Sequence, residues 1–201
     1  QSLSHRLHSF WKMGIRRFLS DVSFEPILHF SIPTAGPYFQ AMVSIRTLTS
    51  NDRDELIDVW HSGWHDAHAN IVPKGVLRYR TLECFWSWFR GSTDQFHIAV
   101  DNGVLGFVST QGSEIVKLYV DPTARGTGVA SKLLSHGERE LHNQGVTDAV
   151  LFCTAGNARA QRFYGREGWI LSETRPDRLW IPDDVSEEFI VDTHRYEKKL
   201  H

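Results

Sequence analysis

The chain of 201 residues suits one ordinary domain with room for an appendage. At 41% hydrophobic and 23% charged it has a globular composition, and a formal charge of −2 gives no basis for general nucleic-acid binding. No uncharged apolar run approaches the roughly 18 residues of a membrane span, and two isolated cysteines, Cys84 and Cys153, make neither a disulfide framework nor a metal cluster.

Residues 1–41 differ in character from the rest of the chain. Arg6, Lys12, Arg16 and Arg17 face only Asp21 and Glu25, while Leu3, Leu7, Phe10, Ile15 and Phe18 fall near one helical face. The stretch reads as an N-terminal extension and linker: a docking helix, a targeting leader, or an artefactual segment ahead of the domain. The linker is "SIPTAGPYFQ", and "MVSIRTL" at Met42 looks like a domain start, so the domain is expected over 42–201.

From there the elements alternate. Val43–Leu48 is β-rich, and Thr49, Ser50 and Asp52 supply N-cap chemistry for a helix through Leu56, Val59, Trp60 and Trp64. Leu82, Phe85, Trp86 and Phe89 recur at i, i+3, i+4 and i+7, a second amphipathic helix. Strands are predicted at Phe96–Val100, Val104–Thr110 and Glu114–Val120, the first pair joined by an Asn102-Gly103 turn. A helix with Ala130, Leu133, Leu134 and Leu141 on one face closes near Gly145, and "AVLFCT" is a buried strand. "NARAQRFYGREG" is a short helix, followed by strands at Trp169–Glu173 and Phe189–Glu197. The fold class is α/β, a mixed, mostly antiparallel sheet of about seven strands with helices on both faces.

The chemistry concentrates in "YVDPTARGTGVASKLL", Tyr119 to Leu134. A glycine-rich turn feeding a helix N-terminus gathers unpaired N–H groups, and Gly126 and Gly128 permit close approach of a phosphate. A P-loop is absent, and the dinucleotide fingerprint has only its first two glycines here, after hairpin-connected strands rather than a βαβ unit. What does fit is R/Q-x-x-G-x-G/A, matched by Arg125-Gly126-Thr127-Gly128-Val129-Ala130.

With that loop and "NARAQRFYGREGW" downstream, the sequence resembles the GNAT superfamily of N-acetyltransferases over about residues 42–200. The resemblance implies acetyl-coenzyme A as donor and no metal. It implies a pantetheine arm along Leu118, Tyr119 and Val120 and a pyrophosphate on the backbone of Arg125, Gly126, Thr127, Gly128, Val129 and Ala130. Asn157 would hydrogen-bond the arm, although its residue type also suits a helix N-cap. Tyr164 occupies the family's tyrosine position as general acid, and Glu114 matches a glutamate that serves as base in some members.

An acceptor amine with a pKa near ~10.4 is neutral only about one part in a thousand at pH 7, so a base or water relay has work to do. His61, His65 and His68 form a stripe beside Trp60 and Trp64, read as a solvated face or acceptor wall rather than a metal site, and Trp64, His68 and Trp180 are the acceptor-side candidates. The acceptor is expected to be a small-molecule amine, a peptide N-terminus or a lysine. No nucleic-acid or membrane partner is expected, a homodimer is left open, and the free thiols suit a cytoplasmic setting. A non-catalytic acyl-coenzyme A-binding module would use the same cradle.

Overall fold

The computed structural model describes residues 43–182 and 185–201, so the readings made for residues 1–41 lie outside the described residues. The strands are β1 (Ser44–Thr47), β2 (Gln95–Val100), β3 (Val104–Gln111), β4 (Glu114–Val120), β5 (Asp148–Thr154), β6 (Ile170–Arg178) and β7 (Ile190–Lys199). The helices are α1 (Arg53–His68), α2 (Leu82–Gly91), α3 (Val129–Asn143) and α4 (Ala158–Arg166).

One seven-stranded sheet runs β1-β2-β3-β4-β5-β7-β6, and only β4 and β5 pair in parallel. The expected mixed sheet of seven strands is therefore borne out. Both faces are covered because successive strand residues point to opposite sides. On β3, Phe107 belongs to a core with Leu56, Ile57 and Trp60 of α1 and Phe85 of α2. Its neighbour Val108 belongs to a second core with Leu133, Leu134 and Leu141 of α3. Each fully buried leucine contributes about 1.5–3 kcal/mol of burial.

Local chemistry sets the element ends. Before α1, the Asp52 carboxylate accepts from the Thr49 N–H at 2.8 Å and is held by both Arg46 nitrogens, at 2.7 and 2.8 Å. Thr81 caps α2 by accepting from the Cys84 N–H at 3.3 Å. Cys153 is buried as predicted, whereas Cys84 is only half-buried; both thiols are free.

The last strands differ from expectation. β6 runs on to Arg178 rather than stopping at Glu173, and every residue in it is exposed. Its polar "SETRPD" stretch carries no hydrophobic alternation, and Pro176 argues against a strand interior. On the sheet edge, paired with β7 alone, a missing N–H on one residue costs little.

Candidate active site

Two local irregularities open the sheet at its centre. Thr110 of β3 pairs with Ile115 of β4 and Ser109 with Lys117, so Val116 is an extra, bulged residue. A bulge bends and twists its strand. The parallel pairing of β4 with β5 covers only Glu114↔Val150 and Ile115↔Leu151. Beyond Ile115 the strands part, and the β5-facing edge of β4 has no strand beside it over Leu118–Val120.

The gap is a cleft of about 510 Å³ bordered by Leu118, Tyr119 and Val120, by the loop ahead of α3, and by one side of α4. Gly63 of α1 lies over the Tyr119 ring so closely that a Cβ there would come within 2.9 Å of it. The Tyr119 ring itself stacks on Phe107, so this residue borders the cleft while its side chain belongs to the core.

At the far end the chain turns sharply. Gly126 and Gly128 have φ of +78° and +87°, left-handed backbone that glycine adopts without strain, and a Cβ at either would meet open space. The first helical N–H with a carbonyl partner is that of Lys132, donated to Gly128 at 3.0 Å. The N–H groups of Val129, Ala130 and Ser131 ahead of it have no partner among the described residues, which is the usual state of a helix start.

Not every N–H group of the six-residue run is free. The N–H groups of Arg125 and Thr127 are already donated to the Pro122 and Ala124 carbonyls, at 3.3 and 3.4 Å; Val129 buries its side chain in the core while its N–H stays without a partner. The Thr127 hydroxyl is likewise tied to the Ala124 carbonyl at 2.7 Å.

The electrostatics are richer than the glycine motif alone implies. Arg159, Arg162 and Arg166 of α4 line the cleft with Arg125, against Glu167. Their spacing follows the helical repeat and is legible in "NARAQRFYGREG", a signal that the motif positions Asn157 and Tyr164 overshadow. Asp66 of α1 holds Arg125 at 2.9 Å and Arg159 at 2.7 Å, and its carboxyl is lowered chiefly by the Arg159 hydrogen bond.

Asn157 caps α4, its Oδ1 accepting from the Ala160 N–H at 3.1 Å, and it also lines the cleft; its amide NH₂ remains a donor. Tyr164 is 9% exposed and lines the same cleft, and burial raises its hydroxyl well above the ordinary tyrosine range.

Glu114 stands apart, at the start of β4 and outside the residues bordering the cleft. Burial raises its carboxyl, with Lys117 opposing the shift. Nearby, Asp94 is nearly buried and accepts from Lys117 Nζ at 2.5 Å and Ser109 Oγ at 2.7 Å.

On the side of α1 and α2, the three acceptor-side candidates meet through a residue that no sequence motif marks. The Arg80 guanidinium, 3% exposed, lies between the Trp64 and Trp88 rings at 5.2 and 5.0 Å, and its Nη2 donates to the Trp180 carbonyl at 2.8 Å. His68 stacks on Trp64 at 5.2 Å. Trp64 is thus core, while Trp180 remains half-exposed and packs edge-on against Trp88.

A family model described as "Acetyltransferase (GNAT) family" matches residues 55–169, which include most of α1, the bulged strand, the glycine turn and α4. The chain belongs to the GNAT family of acetyltransferases. The GNAT resemblance read from the sequence is thereby borne out.

Similar proteins include a mycothiol acetyltransferase from Streptomyces bingchenggensis, 30% identical over 147 residues that are 69% of this chain and 46% of that protein. Another, from Amycolatopsis mediterranei, is 27% identical over 74% of this chain and 54% of its own length. The chain thus spans about half the length of the curated relatives it matches. Among solved structures, a GCN5-related N-acetyltransferase from Rhodopseudomonas palustris superposes with a TM-score of 0.63 at 17% identity, covering 82% of this chain and all of that one. Such a likeness speaks for the GNAT fold alone. Among the described residues no helix is long and apolar enough to cross a membrane.

Proposed function

We propose that this GNAT domain transfers an acetyl group from acetyl-coenzyme A to a primary amine, with donor and acceptor bound together. The observation that carries the reading is the early end of β4–β5 pairing at Ile115, which leaves a strand edge facing a cleft that finishes at a helix start. An amide-bearing arm is accepted by such an edge as an added strand. A diphosphate is matched by the unpartnered N–H groups at the start of α3, the open space at Gly126 and Gly128, and the arginines of α4. The residues present therefore fit the donor.

In this reading Leu118, Tyr119 and Val120 offer backbone groups to the arm, and Asn157 offers its amide. Tyr164 holds a proton for the departing thiolate, a role suited to a hydroxyl that burial keeps protonated. Glu114 is the proposed base. Holding amine and thioester together supplies much of the rate without any side chain. The relatives named mycothiol acetyltransferases favour a small-molecule amine over a peptide N-terminus or lysine as acceptor.

Calorimetry with acetyl-coenzyme A, followed by a panel of amines monitored through free-thiol release, tests the reading. Binding at micromolar concentration and turnover of at least one amine are expected. No binding below millimolar donor would overturn it, and binding without transfer to any amine would leave an acyl-coenzyme A-binding module.

A further inference from the structure

Away from the cleft, three potential ligands converge between α3 and the sheet. His136 and Glu140 are one helical turn apart on α3, on the same side of the helix. His97 stands on β2, opposite Val108 of β3, and is 8% exposed. The two imidazole rings lie 4.5 Å apart, and one ligand atom from each of the three residues falls within 4.8 Å of the others.

These groups are poorly satisfied. His97 Nδ1 and His136 Nε2 are buried with no hydrogen-bond partner, and Glu140 Oε1 stands 3.9 Å from His136 Nε2, beyond a hydrogen bond. A buried, unpaired polar nitrogen costs about 1–3 kcal/mol, and two such nitrogens on neighbouring rings are hard to explain as packing. The sequence does not reveal the group, because His97 and His136 are far apart in the chain and neither belongs to a metal-binding motif.

We propose that His97, His136 and Glu140 bind a divalent transition-metal cation of the Zn²⁺ class. Two imidazole nitrogens and a carboxylate oxygen are a donor set for such a cation, at about 2.0–2.2 Å each, with water completing a tetrahedron. Closing the ligands onto one ion asks for side-chain adjustment of about an ångström or two, well within rotamer freedom. His136 also borders a depression of about 490 Å³ beside Lys132, Ser135 and Arg139.

The surroundings select the ion. Lys132 and Arg139 border this depression, so a hard cation held by charge alone, such as Mg²⁺ or Ca²⁺, is disfavoured. Ligation through His136 Nε2 places the proton on Nδ1 and displaces the long, 3.4 Å contact from Arg139. The ion would fasten the middle of α3 to β2, and so fix the helix whose first turn closes the donor cleft.

The test uses the full chain stripped with chelator, titrated with Zn²⁺ by calorimetry and with Co²⁺ by visible absorption. One equivalent of Zn²⁺ is expected, with d–d bands on Co²⁺ loading and a higher Tm with Zn²⁺ present. His136→Gln and Glu140→Gln should each weaken binding by at least about tenfold, since loss of mere outer-sphere partners already costs ~10–100-fold. Should His136→Gln fold poorly, Glu140→Gln decides, its side chain being 32% exposed. Absence of stoichiometric binding, or binding that survives both substitutions, overturns the proposal. The readout is metal binding, independent of acetyl transfer.

Discussion

Gly128 and Gly145 form a matched pair that separates fold from function. Both have φ of +87°, and at neither would a Cβ meet any atom within 4 Å. Gly128 is the N-cap of α3; Gly145 follows its C-terminal end, where its N–H bonds the His142 carbonyl at 2.8 Å. Alanine in the left-handed region costs about 1–2 kcal/mol, offset by about 0.4–1 kcal/mol from a less flexible unfolded chain. Each Gly→Ala variant should therefore lose about 1 kcal/mol, or about 2–4 °C in Tm for a chain of this size. Only at Gly128 does the new methyl occupy the space a diphosphate would enter. Losing one charge-assisted hydrogen bond there costs about 1.5–3 kcal/mol, so calorimetry should find acetyl-coenzyme A bound about 10- to 100-fold more weakly. Gly145→Ala should bind as the parent does. Equal donor affinity in the two variants would refute the cradle assignment, whatever their Tm values.

Other outcomes rest on the same geometry. Tyr164→Phe should lower kcat about 10²-fold with donor affinity unchanged; because burial raises this hydroxyl, the parent should show no alkaline loss of kcat from it up to about pH 10, the ordinary tyrosine value. Glu114→Gln should leave donor affinity intact, lower kcat about 10²-fold and remove the acidic limb of the pH profile; a retained limb would return proton removal to water. In stability the sign is opposite. The raised Glu114 carboxyl favours folding when protonated, and that contribution is lost as pH rises through its folded value, so Glu114→Gln should raise Tm at about pH 7 and not at about pH 4. Asp66→Asn frees Arg125 and Arg159 and should tighten donor binding by up to about fivefold at low salt; weaker binding would show that Asp66 organises the arginines rather than competing for them.

Periodicity and turn chemistry carried most of the fold. Both amphipathic helices before β2, the Asn102-Gly103 hairpin and the helix through Leu133 and Leu141 formed where their patterns put them. β6 was underestimated because an exposed edge strand needs no hydrophobic face, and its pairing with β7 is a non-local fact. The glycine turn was legible because left-handed backbone leaves a residue-level mark. The gap beside it was not, since a bulge at Val116 depends on the register between two strands.

By itself the sequence determined the family, the order of elements and the glycine turn ahead of α3, because these depend on local spacing and residue type. Only the tertiary structure decided which charges share a site. It joined Asp66 to two arginines, set Arg80 between Trp64 and Trp88, and brought His97 against His136. Such pairings arise from packing together elements that are distant in the chain, which no local pattern encodes.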